Sequence, residues 1–368
     1  MKYYLIAGEA SGDLHASNLM RFLKKEDAGA QFRGFGGDKM IEQGLKLVKH
    51  IREISFMGFV EVLTHLKIIF RNIDLCKKDL LEYQPDVIIL IDYPGFNLRI
   101  AEFAHNANIK VFYYISPQVW AWKQSRVKKI KRVVDRMFVI LPFEKEFYQG
   151  HDFTVDFVGH PMLDAIEQRS ESKINFTSLN DKPIIAVLPG SRKQEISKGL
   201  PVMIEVLKQF PDYRFIIAGI SSVSEELYKK YLRDLDVEII YNQSSEILRS
   251  ARAALVTSGT ATLEAALIGI PEVVCYRGNP ISFSIAKRIV NIKYISLVNL
   301  IMDKFVVTEL IQNELTAKNL KLELEKLLND AQYVETMMRN FEELRSKLGR
   351  TGASEKAARL MYKYLREA

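Results

Sequence analysis

The sequence predicts an α/β protein with two Rossmann-like domains, each built on a doubly wound parallel sheet, and a helical C-terminal tail. Short apolar blocks alternate with longer helical patterns in two successive series. Such blocks are typical of parallel strands that are covered on both faces. A polar stretch, 167–182, separates the two series and predicts a linker. We therefore expect two domains that face one another across a cleft.

The elements follow from this alternation in chain order. The first series predicts strands at 3–7, 32–34, 87–91, 111–115 and 137–141, and helices at 14–25, 59–82 and 97–106. The second series predicts strands at 184–188, 214–218, 238–241, 253–257 and 272–276. After residue 309 the pattern is helical and charged, and it ends in a helix at 355–366. The expected domains are 1–166 and 183–345, with a C-terminal helix within 346–368 that packs on the first domain or on a partner protomer.

Composition excludes several classes of protein. The 368 residues are 48% hydrophobic and 26% charged, which is typical of a globular protein with a full core and excludes disorder and a disulfide-stapled miniprotein. No apolar run exceeds five residues, whereas a bilayer span needs ~18 or more. An acid at Glu9 comes too early for a signal peptide. Cys76 and Cys275 lie in apolar segments and are expected to be reduced thiols of a cytoplasmic protein.

The net charge of +7 is unevenly distributed. Residues 123–136 carry seven basic side chains against one acid, which favours a phosphate-bearing partner, although a solvated helix face is an equal alternative. Because aromatic residues do not interleave with these charges, nucleic acid is not expected as a partner. The segment 56–73 holds 11 apolar residues in 18 and predicts a buried helix or, alternatively, a helix that enters a membrane surface.

Two loops of the first domain carry candidate acids. The first strand runs into Gly-Glu-Ala-Ser-Gly-Asp at 8–13, where glycines and a helix N-terminus allow a ligand to approach the backbone. Glu9 suggests recognition of sugar hydroxyls, whereas Asp13 is a ligand contact or a helix cap. Asp92 precedes a Pro-Gly turn at the end of the third predicted strand. It is a candidate general base, since partial burial raises a carboxyl pKa; the alternative is an acid that stabilises the turn.

Two loops of the second domain suit an anionic diphosphate. One strand ends in Pro-Gly-Ser-Arg at 189–192, where Gly190 and Arg192 could cradle phosphate oxygens. Another ends in Ser-Gly-Thr-Ala at 258–261, which opens the helix that carries Glu264. Glu264 lies within reach of a ribose diol. Simple helix capping by Ser258 and Thr260 is the alternative.

Other motifs are absent or undecided. The first loop lacks the G-x-G-x-x-G spacing, so no dinucleotide cofactor is expected. The histidines show no ligand spacing, and the Asp-Leu-Asp at 234–236 is interpreted as a solvated turn, so no metal is expected. Trp120 and Trp122 could stack on a sugar, rest against lipid or pack in the core.

Taken together, these motifs resemble one family, the lipid-A-disaccharide synthases, which are inverting glycosyltransferases of the two-Rossmann GT-B type. The matching segments are GEASGD (8–13), MGFVEVL (57–63), IDYPGFN (91–97), SPQVWAW (116–122), LPFEKEFY (141–148), FVGHPMLDA (157–165), LPGSR (188–192), SGTATLE (258–264) and SLVNL (296–300). Gly95 stands where many members carry a second Asp, which removes a rival to Asp92 as base. Val298 stands where many members carry Pro, and this departure concerns the loop around Asn299.

The resemblance implies a reaction that joins UDP-2,3-diacylglucosamine to 2,3-diacylglucosamine 1-phosphate and releases UDP. It also implies peripheral attachment to the cytoplasmic face of the inner membrane and a homodimer. The first domain would then bind the acceptor and the second the UDP-sugar donor. The catalytic candidate is Asp92, and the expected acceptor contacts are Glu9, Ser11, Asp13 and Asn299. The expected donor contacts are Gly190, Ser191, Arg192, Ser258, Gly259, Thr260, Ala261, Glu264 and Tyr276.

Two other functions stay open on the residues alone. A UDP-sugar 2-epimerase or a peptidoglycan-lipid transferase would share the same architecture. A protein that binds nucleotide and membrane without catalysis would share the charge pattern. Fold by itself does not separate them.

Overall fold

The structure is a computed structural model, and it describes residues 1–54, 66–122, 125–168, 182–232, 235, 237–279, 283 and 293–367. Some predicted features therefore lie outside the described residues. These are the start of the helix at 59–82, most of the apolar segment 56–73, most of the linker at 167–182 and the two acids of the turn at 234–236.

The chain divides into two compact units. The first comprises Met1–Asp164 together with Arg350–Ala368, and the second comprises Ala165–Gly349. Each unit contains its own sheet, and every strand pair in both sheets is parallel. The predicted fold class of two parallel-sheet α/β domains with a C-terminal helix is confirmed.

The first unit is a seven-stranded sheet with helices between its strands. Its strands are β1 (Lys2–Ala7), β2 (Gln31–Gly36), β3 (Leu45–His50), β4 (Val87–Ile91), β5 (Lys110–Tyr114), β6 (Arg136–Val139) and β7 (Asp156–Phe157). Its helices up to the unit boundary are α1 (Ala10–Glu26), α2 (Asp38–Glu42), α3 (Leu66–Tyr83), α4 (Pro94–Asn106), α5 (Val119–Trp122), α6 (Arg126–Val133), α7 (Pro142–Gln149) and α8 (Pro161–Gln168). The strand order is β3-β2-β1-β4-β5-β6-β7.

The second unit repeats the same winding with six strands. The strands are β8 (Ile184–Leu188), β9 (Arg214–Gly219), β10 (Glu238–Tyr241), β11 (Ala251–Thr257), β12 (Glu272–Tyr276) and β13 (Thr308–Ile311). The described helices are α9 (Lys193–Leu207), α10 (Glu225–Leu232), α11 (Ser244–Ser250), α12 (Thr260–Ile268), α13 (Leu297–Met302), α14 (Ala317–Asn329) and α15 (Ala331–Leu348). The strand order is β10-β9-β8-β11-β12-β13.

Burial explains why the central strands are continuous apolar runs. All five residues of β4 and residues 3–7 of β1 have no exposed surface, because helices cover both faces of the sheet. Predicted strand bounds agree with the structure to within two residues. The strands β3, β7 and β13 were not predicted, and β3 is an edge strand whose lysines interrupt its apolar pattern.

Two helices begin earlier than predicted, and both adjoin candidate site residues. Helix α1 begins at Ala10 and not at residue 14, so Ser11 and Asp13 lie in its first turn. Helix α4 begins at Pro94 and not at residue 97, with proline in the first position, where its missing N–H costs nothing. Ser, Gly and Pro in these turns resemble a loop in the sequence, although the strand leads directly into a helix.

The last helix, α16 (Ala353–Arg366), packs against α1 within the first unit. The carboxylate of Asp164 accepts hydrogen bonds from the amides of Gly352 (2.6 Å) and Ser354 (3.1 Å) and thereby caps the helix. Near its other end, the hydroxyl of Tyr364 donates to Asp156 at 3.1 Å. These contacts attach the C-terminal helix to the unit that contains the N-terminus.

Candidate active site

In each sheet, the direction in which successive strands are added reverses at one place. The candidate loops lie at these two places. In the first unit the reversal falls between β1 and β4, which are followed by residues 8–13 and 92–97. In the second unit it falls between β8 and β11, which are followed by residues 189–192 and 258–261. Ligands of open parallel sheets bind at the carboxyl ends of the strands at such points. Within each unit, the structure therefore brings the two predicted loops side by side.

Asp92 follows β4 directly in an uncommon backbone conformation. Its φ is +46° and that of Tyr93 is +48°, so two successive residues other than glycine are left-handed. The amide of Asp92 donates to the carbonyl of Tyr114 at 3.2 Å, and its own carbonyl accepts from Asn97 Nδ2 at 2.7 Å. The side chain is half-buried at the edge of the sheet. The predicted position of Asp92, at the lip of the sheet, agrees with this geometry.

The surroundings of Asp92 favour a protonated carboxyl near neutral pH. Burial raises the pKa of Asp92 from 3.8 to about 7, and the negative charge of Glu9 acts in the same direction, while a backbone hydrogen bond from Tyr93 opposes them. A carboxyl with a pKa near 7 can both take up and release a proton under physiological conditions. This is the property that a general base requires.

Glu9 and Ser11 belong to the β1–α1 junction beside Asp92. Glu9 is the N-cap residue of α1 and is half-buried, and its charge affects both Asp92 and Tyr93. Ser11 is exposed in the first turn of the helix. Gly8 is required here because a Cβ at this position would overlap the ring of Tyr93. The structure thus places two carboxyl groups and one hydroxyl at the same edge of the first sheet.

Asp13 is occupied within the fold. It is 4% exposed, and its carboxylate accepts hydrogen bonds from the amides of Gly37 (2.8 Å), Lys39 (3.1 Å) and Met40 (3.1 Å). These donors lie at the start of α2, where a carboxylate also interacts favourably with the helix dipole. The structure therefore supports a structural role for Asp13 and not the expected acceptor contact.

The loop at 189–192 forms an anion-binding turn that a carboxylate already occupies. Gly190 has φ +110°, and a Cβ there would overlap Glu195. The amide of Ser191 donates to Glu195 Oε2 at 2.9 Å, and Arg192 lies 3.4 Å from Glu195 Oε1. Ser191 and Arg192 are exposed. An incoming diphosphate would meet the same donors that now face Glu195.

Ser258, Gly259, Thr260 and Ala261 lie between β11 and the first turn of α12, as predicted. Gly259 and Thr260 are exposed, so their backbone amides face solvent at the helix N-terminus, a favourable place for an anion. Ser258 differs, since its hydroxyl donates to the carbonyl of Ile295 at 3.1 Å. The turn therefore offers amides more than hydroxyls.

Glu264 is less accessible than expected. It is 8% exposed, and its carboxylate accepts hydrogen bonds from the hydroxyls of Ser244 and Ser245, which begin α11. A ribose diol would have to share or replace these hydroxyls. Tyr276, at the end of β12, is half-buried, and its pKa is raised by burial and by the charge of Glu195, while the charge of Arg192 acts in the opposite direction.

Asn299 is fully used inside the second unit. It is completely buried, its Nδ2 donates to the carbonyl of Val307 and to Glu309, and its Oδ1 accepts from the amides of Val306 and Val307, all at 2.8–3.0 Å. Since both hydrogens and both lone pairs are occupied, the structure does not support the expected acceptor contact. Asn299 instead fixes the segment between α13 and β13.

Several polar residues around Asp92 were not predicted. Tyr113, Ser116, Tyr148 and Glu144 are buried, and Asn97 is completely buried. The hydroxyl of Tyr113 donates to the carbonyl of Asp92 at 2.6 Å. Their motifs were visible in the sequence, but tyrosines in an apolar strand look like core residues. Burial raises the pKa of Tyr113 well above its ordinary value, and the charge of Arg126, in the basic segment, acts weakly in the opposite direction.

In the described part of the chain, no three His, Cys, Asp or Glu side chains are grouped so that they could hold a metal ion. No helix among the described ranges is both long and apolar enough to cross a bilayer.

Solved structures with the same architecture define the class of fold. A UDP-GlcNAc 2-epimerase from Neisseria meningitidis, bound to UDP-GlcNAc, aligns over all of both chains with a TM-score of 0.67 at 15% identity. The glycosyltransferase of kitacinnamycin aligns over 99% of both chains with the same TM-score of 0.67 and 15% identity. At this identity the likeness shows the fold alone, which is a GT-B-like fold with two parallel-sheet α/β domains.

Sequence comparison identifies the family. The family described as lipid-A-disaccharide synthetase matches residues 3–363. The lipid-A-disaccharide synthase of Trichlorobacter lovleyi is 40% identical over 366 residues, which cover 97% of this chain and 96% of the relative. The chain therefore belongs to the lipid-A-disaccharide synthase family. The predicted enzyme class, a glycosyltransferase of lipid A biosynthesis that acts on UDP-sugar and lipid-linked substrates, is confirmed.

Proposed function

We propose that the enzyme condenses UDP-2,3-diacylglucosamine with 2,3-diacylglucosamine 1-phosphate and that Asp92 is the general base. The observation that carries this assignment is the half-buried carboxyl of Asp92, with a pKa near 7, at the reversal point of the first sheet. Asp92 accepts the proton of the acceptor 6-hydroxyl while that oxygen forms a bond to the anomeric carbon. The bond from the anomeric carbon to the diphosphate breaks, and UDP leaves with the electron pair. A placed base contributes ~10²–10⁴-fold to the rate.

The second unit stabilises the leaving diphosphate. Arg192 precedes α9, and 53% of its side chain is exposed. The amides of Gly259 and Thr260 lie at the N-terminus of α12, which follows the neighbouring strand β11. A guanidinium and helix N-termini aimed at a developing charge lower the barrier of its departure. Glu264 and Tyr276 border this site and position the nucleoside. Activity in the presence of a chelator tests whether these groups suffice without a divalent cation.

Glu9 and Ser11 orient the acceptor, and Arg126 neutralises its 1-phosphate. This assignment is supported by the effect of the Glu9 charge on Asp92 and by the place of Arg126 at the start of α6, in the basic segment. A guanidinium binds phosphate oxygens in a bidentate manner. Arg126→Ala is expected to raise the KM for the phosphorylated acceptor more than for a dephosphorylated one, and equal effects on both acceptors would remove Arg126 from this role.

The face of α3 that points to solvent is a membrane-binding surface. Leu66, Phe70 and Leu81 are exposed on this helix, although large apolar side chains are normally buried. Positions 66, 70 and 81 fall on one side of the helix, and the basic residues Lys67 and Arg71 lie next to them. The exposed Asp74 lies on the same side, whereas the exposed Leu75 lies on the other. An apolar strip flanked by basic residues binds anionic lipid.

Vesicle binding tests this surface with a matched control. Phe70→Ser should weaken sedimentation with anionic phospholipid vesicles, whereas Phe305→Ser, which alters a 59% exposed phenylalanine of the second unit, should not. Equal binding of the two variants would refute the assignment. The homodimer that the family resemblance implies is tested separately, by sedimentation of the purified protein without vesicles.

The central experiment is a turnover assay with both diacylated substrates. Asp92→Asn should abolish most release of UDP and formation of disaccharide while the affinity for UDP stays near wild type. Asp212→Asn, which alters an exposed acid of the second unit, is the control and should retain full activity. Parallel loss of turnover and UDP affinity in Asp92→Asn would instead indicate a structural aspartate. A 2-epimerase would convert UDP-GlcNAc without releasing UDP.

A further inference from the structure

Two neighbouring strands of the first sheet end in strained backbone. Asp92 and Tyr93 after β4 have φ values of +46° and +48°, and Ile115 after β5 has φ +66°. A left-handed conformation is uncommon for any residue other than glycine, and for a β-branched residue such as isoleucine it is a genuine outlier. Such strain costs ~1–3 kcal/mol at each residue and persists only where the surroundings hold it. The contacts that hold these two strand ends are therefore of interest.

The carbonyl of Asp92 is held by two side chains. It accepts hydrogen bonds from the hydroxyl of Tyr113 at 2.6 Å and from Nδ2 of Asn97 at 2.7 Å. Neither Tyr113 nor Asn97 has any exposed surface. Asn97 Nδ2 also lies 3.2 Å from the carbonyl of Ile91, so it bridges the last residue of β4 and the first left-handed residue. Because two donors converge on one oxygen, the peptide group after Asp92 has a single orientation.

A buried polar network extends from Tyr113 to the end of the next strand. Tyr113 and Tyr148 belong to the same buried core cluster, and burial and the charges of Asp92 and Tyr148 raise the pKa of Tyr113. The hydroxyl of Tyr148 lies 2.6 Å from Oγ of Ser116, the residue that follows the strained Ile115. Tyr148 is completely buried, and Ser116 is 5% exposed.

Glu144 closes the network at the end of β6. Its Oε2 accepts hydrogen bonds from the amides of Leu141 (3.0 Å) and Ile140 (3.3 Å), and its carboxyl lies close to Ser116. It is 1% exposed. Since β4, β5 and β6 are adjacent in the sheet, Glu144, Ser116 and Tyr113 connect three strand ends through polar groups that have little access to water.

We propose that Tyr113 and Asn97 are positioning residues for Asp92, and that Ser116, Tyr148 and Glu144 hold the adjacent strand end in support of them. This inference rests on the proposed role of Asp92 as general base. The network acts on the backbone of Asp92 and not on the substrate, and it aims the carboxyl at one point by preventing the strained residue from relaxing. A shift of ~1 Å in a catalytic group can cost ~10²-fold in rate.

The chain offers a matched pair of variants for the test. Tyr113→Phe removes the hydroxyl that donates to Asp92, whereas Tyr114→Phe removes the hydroxyl of the next residue, which is equally buried but faces Ser354 of the C-terminal helix and not Asp92. We expect Tyr113→Phe to lower kcat by ~10–10²-fold, with the UDP dissociation constant unchanged. We expect Tyr114→Phe to retain wild-type kinetics.

The pH profile of kcat/KM tests whether Tyr113 acts on the position of Asp92. Burial is the largest cause of the raised pKa of Asp92, so an Asp92 that relaxes toward water should show the acid limb of kcat/KM at lower pH. The inference is supported if this limb moves in Tyr113→Phe and is overturned if it stays, whatever the change in kcat. Where Tyr113→Phe does not fold, Tyr148→Phe replaces it, with the same direction of change and a smaller size.

The two hypotheses fail in different ways. If Asp92→Asn retains turnover, Asp92 is not the base, whatever Tyr113→Phe does. If Asp92→Asn is inactive while Tyr113→Phe and Tyr114→Phe behave alike, the base assignment stands and the positioning role of Tyr113 is refuted.

Discussion

Replacement of Asp92 by asparagine is expected to stabilise the first unit at neutral and alkaline pH. In the unfolded chain this carboxyl ionises near 3.8, whereas in the folded protein it ionises near 7. Between these values the folded protein retains a proton that the unfolded chain has released, so its free energy of unfolding falls as the pH rises. The difference in pKa corresponds to ~4 kcal/mol above pH 7, and asparagine avoids this cost because it has no charge to bury.

The expected gain is smaller than this limit, since the asparagine amide must also be desolvated at ~1–3 kcal/mol. A net gain of ~1–3 kcal/mol corresponds to ~2–4 °C in Tm for each kcal/mol in a unit of this size. Thermal unfolding of wild type and Asp92→Asn at pH 4 and pH 8 measures it, with Asp212→Asn as the control. A gain at pH 8 that vanishes near pH 4 is expected. An equal Tm difference at both pH values would refute the reasoning, because the gain would not depend on ionisation.

Three further predictions concern two other acids of the first unit and one acid of the second. Glu9→Gln removes a charge that raises the pKa of Asp92, so the acid limb of kcat/KM should move to lower pH by about 1 unit or less; an unmoved limb would contradict the coupling. Asp13→Ala leaves three amides without a hydrogen-bond acceptor and should lower the free energy of unfolding by ~3 kcal/mol, as measured by urea denaturation. The KM of the folded variant for the acceptor sugar should stay unchanged. A raised KM would indicate that Asp13 contacts the acceptor sugar after all. Glu195→Gln removes a negative charge from the loop at 189–192 and should tighten UDP binding by up to ~1 kcal/mol, as measured by calorimetry. Weaker UDP binding would indicate that Glu195 organises this loop.

The strands were predictable because a strand that is buried on both faces is apolar along its whole length. The runs at 87–91 and 184–188 are wholly apolar and wholly buried. Edge strands have no such signature, and β3 reads Leu-Lys-Leu-Val-Lys-His because one side of it meets solvent. The starts of α1 and α4 were misplaced for another reason. Ser, Gly and Pro at helix N-termini have the composition of loops, and it is the hydrogen bond from the amide of Asp13 to the carbonyl of Glu9 (2.9 Å) that shows the helix has already begun.

The site was predictable as far as strand ends determine it. A parallel sheet places all carboxyl ends at one edge, so the loops after β1 and β4 could be paired from the sequence alone. Their hydrogen-bond partners could not, because the donors to Asp13 lie 24–27 residues away and Tyr113 lies 21 residues from Asp92. The left-handed conformation of Ile115 was equally hidden, since isoleucine at a strand end predicts ordinary extended backbone.

Hydrogen bonding distinguishes Asp92, the proposed base, from the acids that hold the fold. Asp13 and Glu264 occupy equivalent places, just beyond a strand in the first turns of a helix, and protein donors already surround both carboxylates. Asp92 is the reverse case, because Tyr113 and Asn97 bind its backbone carbonyl, while its carboxyl is buried beside the like charge of Glu9. Several amide donors stabilise the ionised form of a carboxyl group and lower its pKa. Desolvation next to a negative charge destabilises the ionised form and raises the pKa. The fold therefore immobilises the main chain of residue 92, while the one backbone hydrogen bond that lowers the pKa of its carboxyl, from Tyr93, is outweighed by burial and by the charge of Glu9, and this combination supports the proposed role of Asp92 as base.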